Sequence, residues 1–192
     1  MERLHRHKDH SYGDAWRKRG EVLSIFCNIA RKQDRLDVAA SENGPTAAEP
    51  LADTVADLCV YAAKYLTWLA ERDPEAFAAQ SRVGSAGHYA AGRGPEALVA
   101  VFERLADTER AVPDSFDVAR KRAASAFSAL EAGLIAQSEG VMGALTTRQK
   151  VAQAWNLTAA SAWALAILAN DDAMQLDDLR KEIDRMDERA TS

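Results

Sequence analysis

What this sequence lacks narrows it before any motif is read. No stretch of four or more residues alternates β-branched or aromatic side chains with polar ones between turn dipeptides, so strands are not expected. There are only two cysteines, Cys27 and Cys59, too few for a zinc site built from thiolates. Each sits in an apolar helical run, where a free thiol acts as a small hydrophobe, and a reducing compartment is the natural reading. Nowhere do about 18 uncharged apolar residues run together, and 157–170 comes nearest, so no membrane span is expected. The first residues are crowded with His, Arg, Lys and Asp and have no apolar core of a secretion signal, which gives a cytoplasmic expectation. Catalytic signatures are missing as well: there is no Gly-x-Ser-x-Gly, no His-Glu-x-x-His, no His-Asp dipeptide, and no strand to carry a glycine-rich phosphate loop.

What is present is apolar content and mixed charge. Hydrophobic residues make up 47% and charged residues 28% of the chain, enough to fold and to remain solvated. Twenty-four Lys and Arg against 29 Asp and Glu leave a net charge of -5, so coating nucleic acid is not the expected task. A length of 192 residues supports one core, and 1–192 is read as a single helical domain.

Periodicity supplies the elements. Val22, Ile25, Phe26 and Ile29 recur at helical spacing and predict a first helix from Asp14 to Asp37, with Asp14 as its cap. Ser41, Asn43, Gly44 and Pro45 break the pattern. A second helix follows from Pro50 to Arg72, its stripe being Leu51, Val55, Leu58, Ala62, Leu66 and Leu69. Residues 73–95, rich in glycine, read as a connection with a short helical piece near 75–80. A third helix is expected from Glu96 to before Pro113, and a fourth from Ser115 to Ser138. In the fourth, Ala119, Ala123, Ala126 and Gly133 would let a neighbour approach closely. Thr147 caps a fifth carrying Val151, Trp155, Thr158, Ala162 and Leu165, and Leu176 to Arg189 makes a polar sixth. The expected fold is therefore all-α, a helical bundle of about six helices.

The second helix carries more than its stripe explains. At about 100° per residue, Asp53, Asp57 and Lys64 point away from the leucines, together with or close to Val60, Tyr61 and Trp68. A solvated face rarely holds Val, Tyr and Trp together, so the two carboxylates are expected in a partly covered cleft. Like charges one turn apart repel, and a cation such as Lys64 or Mg²⁺ would compensate them. The plainer reading is an acidic helix start favoured by the macrodipole.

Three segments carry a resemblance. His7-Lys8-Asp9-His10-Ser11-Tyr12-Gly13-Asp14-Ala15-Trp16, Ala30-Arg31-Lys32-Gln33-Asp34-Arg35-Leu36 and Ala52-Asp53-Thr54-Val55-Ala56-Asp57-Leu58-Cys59-Val60-Tyr61-Ala62 resemble the phage-type nucleotide-modification-associated domain family. More distantly they are similar to the MazG-like all-α nucleoside triphosphate pyrophosphohydrolases. The likeness covers residues 5–72, about a third of the chain, and leaves 96–192 as further helices without an assigned role. It implies a nucleotide-binding protein that hydrolyses a nucleoside triphosphate with Mg²⁺, Asp53 and Asp57 being the catalytic and metal-holding acids and Glu21 a further metal ligand. The pyrophosphohydrolase pattern pairs acids Glu-Glu-x-x-Glu in its first helix, whereas this one offers Glu21 and Asp34. Lys32 and Arg35 would neutralise phosphate oxygens, Tyr12 and Trp16 would stack on a base, and Tyr61 and Lys64 complete the substrate-binding set.

Other features have ordinary explanations beside functional ones. His5, His7 and His10 suit a solvated terminus better than a metal site, and His88 suits a plain loop. Tyr12 and Trp16 would equally staple the chain onto the first helix. From a different class, the Ala-rich fourth and fifth helices suit a non-enzymatic interaction protein or a homo-oligomer.

Overall fold

The computed structural model describes residues 13–39, 51–81 and 113–171. They are all-helical: a 3-10 turn Gly13–Arg17, a π-helical segment Glu21–Phe26 that runs directly into α1 (Cys27–Ala39), then α2 (Leu51–Arg72), α3 (Pro74–Ser81), α4 (Phe116–Glu139) and α5 (Thr147–Asp171). Five α-helices thus stand among the described residues. The helices expected over 96–112 and 176–189 lie outside them.

α2 is the central helix. Sixteen of its 22 residues are buried, so it is covered on both faces and not on one stripe. Its leucine side packs with α5, where the Cys59 thiol lies 3.7 Å from the Thr158 carbonyl. α1 packs against α2, and α3 against both α2 and α5. Phe77 of α3 is fully enclosed by that arrangement. Asp73 starts α3 by accepting from the Ala76 N–H at 2.9 Å, with Pro74 in the first turn where its missing N–H costs nothing.

The first helix does not begin at Asp14. The chain breaks at Gly20, whose φ of 83° is open to glycine and strained for other residues, and the helix resumes only at Glu21. The widened π turn then shifts the register. Ile25, Phe26 and Ile29 stay in the core, but Val22, expected beside them, turns outward and Leu23 is 71% exposed. The Ser24 hydroxyl accepts from the Arg19 N–H at 2.8 Å, and the Ser24 carbonyl accepts from the Asn28 amide at 2.6 Å, taking up groups that the changed ladder releases.

α4 starts where the sequence placed it, with the Ser115 hydroxyl accepting from the Val118 N–H. It stops at Gly140 in the left-handed region (φ 67°), from which Val141 N–H reaches the Ala136 carbonyl at 3.0 Å. The cap of α5 is Thr146 rather than Thr147: the Thr146 hydroxyl accepts from the Gln149 N–H, and the Gln149 side chain accepts from the Thr146 N–H at 2.9 Å. α4 and α5 pack along their lengths, and Ala119, Ala123 and Ala126 are buried within the chain. The small-residue face expected to meet a second molecule is spent on the protein's own core. A Cβ on Gly133 would stand 2.3 Å from Leu145 Cγ. Gly133→Ala is therefore expected to destabilise the fold by about 1–2 kcal/mol despite its better helix propensity, as read from urea denaturation midpoints.

By length and composition Thr147–Ala169 would span a bilayer, longer than the 157–170 run noted in the sequence. Half of its most apolar window is buried inside the bundle, and Lys150, Thr158 and Ser161 lie buried along it, as in a core helix.

Two buried ionisable groups on α2 set an alkaline limit. Burial pushes the Cys59 thiol from its ordinary 9.0 up to about 12. Tyr65 is raised too, first by burial, then by the Glu21 charge and the hydrogen bond to it. Both groups hold their protons in the fold and release them sooner when unfolded. Their contribution is complete below pH about 9 and is lost above it, by roughly 1.4 kcal/mol per pH unit from Cys59, steepening once unfolded tyrosine titrates near 10. Urea midpoints measured from pH 8 to 10.5 should show this fall, and Cys59→Ala should flatten its first part.

Candidate functional site

Three elements meet around a cleft of about 370 Å³. The 3-10 turn supplies Ala15 and Trp16, α1 supplies Asn28, Arg31 and Lys32, and α2 supplies Asp57, Val60, Tyr61 and Lys64. On α1 these positions are spaced i, i+3 and i+4, and on α2 i, i+3, i+4 and i+7, so each helix offers one continuous face. The volume falls in the range of small-molecule sites.

At the base of the cleft, the Lys32 ammonium lies 2.7 Å from a carboxylate oxygen of Asp57. Asp57 and Lys64 are each 6% exposed, so both charges are largely withdrawn from water. Lys64 Nζ stands 5.2 Å from the centre of the Trp16 ring, a cation held over an aromatic face. Trp16 is held in turn by its neighbour: Arg17 is 2.6 Å from Glu71 at the far end of α2, which ties the 3-10 turn to that helix. Among its described residues the lining holds three cations, Arg31, Lys32 and Lys64, against the carboxylate of Asp57. Its chemistry is that of a receptor for an anion, with two aromatic surfaces, Trp16 and Tyr61, to take a flat group.

Of the residues expected at a site, the structure brings Trp16, Lys32, Asp57, Tyr61 and Lys64 together. Asp53 stands one turn nearer the helix start, half-buried and outside the lining. Arg35 is on the exposed side of α1. Tyr12 lies outside the described residues, as do His5, His7, His10 and His88. Asn28 and Arg31 are additions to the expected set. Their signal was present in the sequence, since both share the face of Lys32 at helical spacing.

Glu21 belongs to a different cluster. Its two carboxylate oxygens lie 2.8 and 2.9 Å from Lys150 Nζ, and the Tyr65 hydroxyl donates to it at 2.5 Å. Lys150 also donates to the Gln137 side chain at 2.6 Å. This network joins the π turn to α2, α4 and α5 across their packed faces. Among the described residues no group of three His, Cys, Asp or Glu side chains could hold a metal ion. Asp57 is engaged by Lys32 and Glu21 by Lys150, so these two acids belong to separate clusters.

Comparison with protein-family models, with curated proteins and with solved structures found no match for this chain.

Proposed function

We propose that the cleft between the 3-10 turn, α1 and α2 binds a nucleotide. The observation that carries this reading is the convergence of Lys32, Lys64, Arg31 and Trp16 on one sheltered concavity beside Asp57. Phosphate oxygens would take the ammonium groups of Lys32 and Lys64 and the guanidinium of Arg31, as charge-assisted hydrogen bonds of the stronger kind. A base would lie against Trp16 or Tyr61, where stacking tolerates many ring systems. Asp57 acts here as the anchor of Lys32, fixing its ammonium at the floor of the cleft in advance of the ligand.

Hydrolysis of a triphosphate, the activity implied by the resemblance, would need more than the single carboxylate among the described lining residues. Binding is the part of that expectation which the geometry supports best. Self-association would have to use other surfaces than the small-residue face of α4, such as the exposed Ile135, Val141 and Met142 near its end.

Isothermal titration with nucleoside mono-, di- and triphosphates, each with and without Mg²⁺, tests the reading. Affinity is expected to rise with phosphate number and to fall at least tenfold in Lys64→Gln, about the 1.4 kcal/mol of one lost charged hydrogen bond. An absence of heat with every nucleotide would remove the proposal. Pyrophosphate release from the triphosphates, followed in parallel, separates binding from turnover.

A further inference from the structure

Asn28 lines the cleft of Trp16, Lys32 and Lys64, and phosphate binding gives its carboxamide no task. It is the second residue of α1 and is half-buried. Its Nδ2 donates to the Ser24 carbonyl at 2.6 Å. A backbone carbonyl only accepts, so this bond fixes which end of the carboxamide is nitrogen and which is oxygen. Ser24 is itself buried in the π turn, so the anchor is largely sheltered from competing water. No described residue donates to Asn28 Oδ1, and the cleft lining therefore carries an oriented acceptor beside its cations.

From this fixed acceptor we infer that the cleft selects nucleotides whose base carries an exocyclic amino group, as adenine and cytosine do, over their oxo counterparts, and that Asn28 sets the preference. The inference rests on the nucleotide reading of the cleft. Lys32 follows Asn28 by about one helical turn, roughly 6 Å along α1, and Arg31 by three residues, so a ring beside Asn28 leaves its phosphates within reach of both cations. Trp16 and Tyr61 give the ring flat neighbours in the same space. The amino N–H donates to Oδ1. An oxo group in its place sets two acceptors against each other, and Asn28 cannot turn its nitrogen toward that oxygen without giving up Ser24. The preference comes from the orientation of a neutral side chain, so it acts in addition to the phosphate contacts.

The test is isothermal titration of the full chain with adenosine against inosine triphosphate, and with cytidine against uridine triphosphate. Each pair differs by an amino-for-oxo exchange on the ring and the ring proton that goes with it. In each pair that binds, the amino member is expected to bind about tenfold tighter. Asn28→Ala, a helix-favouring change, should bring the two members to within about twofold by weakening the amino member alone. Asn28→Gln, whose longer arm carries the carboxamide past Ser24, should lose the preference as well. Loss of a merely structural residue would weaken both members alike and leave their ratio intact. Equal affinities within the pairs, a tighter oxo member, or a preference that survives both substitutions would overturn the inference and leave nucleotide binding standing. Heat from none of the four would instead remove the nucleotide reading, and this inference with it.

Discussion

Replacing Glu21 with alanine is expected to lower the free energy of unfolding by about 3–5 kcal/mol, since it leaves the buried Lys150 ammonium without its carboxylate. The loss is large because one side chain serves two partners. Lys150 and the Tyr65 hydroxyl both end on Glu21, and α2 and α5 are joined to the π turn through it. Lys150→Met should cost a similar amount by stranding the carboxylate instead. The double variant Glu21→Leu with Lys150→Met removes both charges and should recover much of the loss, because an apolar pair has no desolvation to offset. Urea denaturation of the three proteins measures this; single variants within about 1 kcal/mol of the parent would show the network to be solvated.

Lys32→Met is expected to be the second large effect, and it acts on both stability and ligand binding. Asp57 is almost wholly withdrawn from water with the Lys32 ammonium 2.7 Å away, so removing the cation should cost about 3 kcal/mol. Adding Asp57→Leu should return much of that stability, as for the first pair. It should not return nucleotide binding, because the cleft would still lack the ammonium that meets phosphate. Thermal unfolding and calorimetric titration on the same preparations therefore separate the two roles. If the double variant bound nucleotide as well as the parent, the phosphate role of Lys32 would be lost while its structural role stood.

Helix identity was largely legible from the sequence because it depends on local spacing. The stripe from Leu51 to Leu69 and the cap at Ser115 are properties of neighbours three and four residues apart, and the structure has both. The break at Gly20 was not legible. Helical periodicity continues through it in Val22, Ile25 and Phe26, and only the left-handed backbone at Gly20 with the π turn after it shows that the register has moved. Past that break Glu21 lies with Lys150 and Tyr65, outside the candidate cleft. No spacing rule could pair Glu21 with a lysine 129 positions away.

The candidate cleft divides in the same way. That Asp57, Tyr61 and Lys64 share a face follows from 3.6 residues per turn. That Asp53 lies outside the lining, although it is one turn from Asp57, follows from where α1 and the 3-10 turn cover α2 and where they stop.

By itself the sequence determined the helical character of the described residues, the cap at Ser115, and one face of α2 too apolar to be a wet surface around its charges. Only the tertiary structure decided which charges meet: Lys32 with Asp57, Lys150 with Glu21, Arg17 with Glu71. The reason is range. Helix formation is settled by hydrogen bonds and side chains within one turn, whereas the partner of a buried charge is chosen by how whole helices pack, and that packing is governed by apolar surface with no preference for one carboxylate over another.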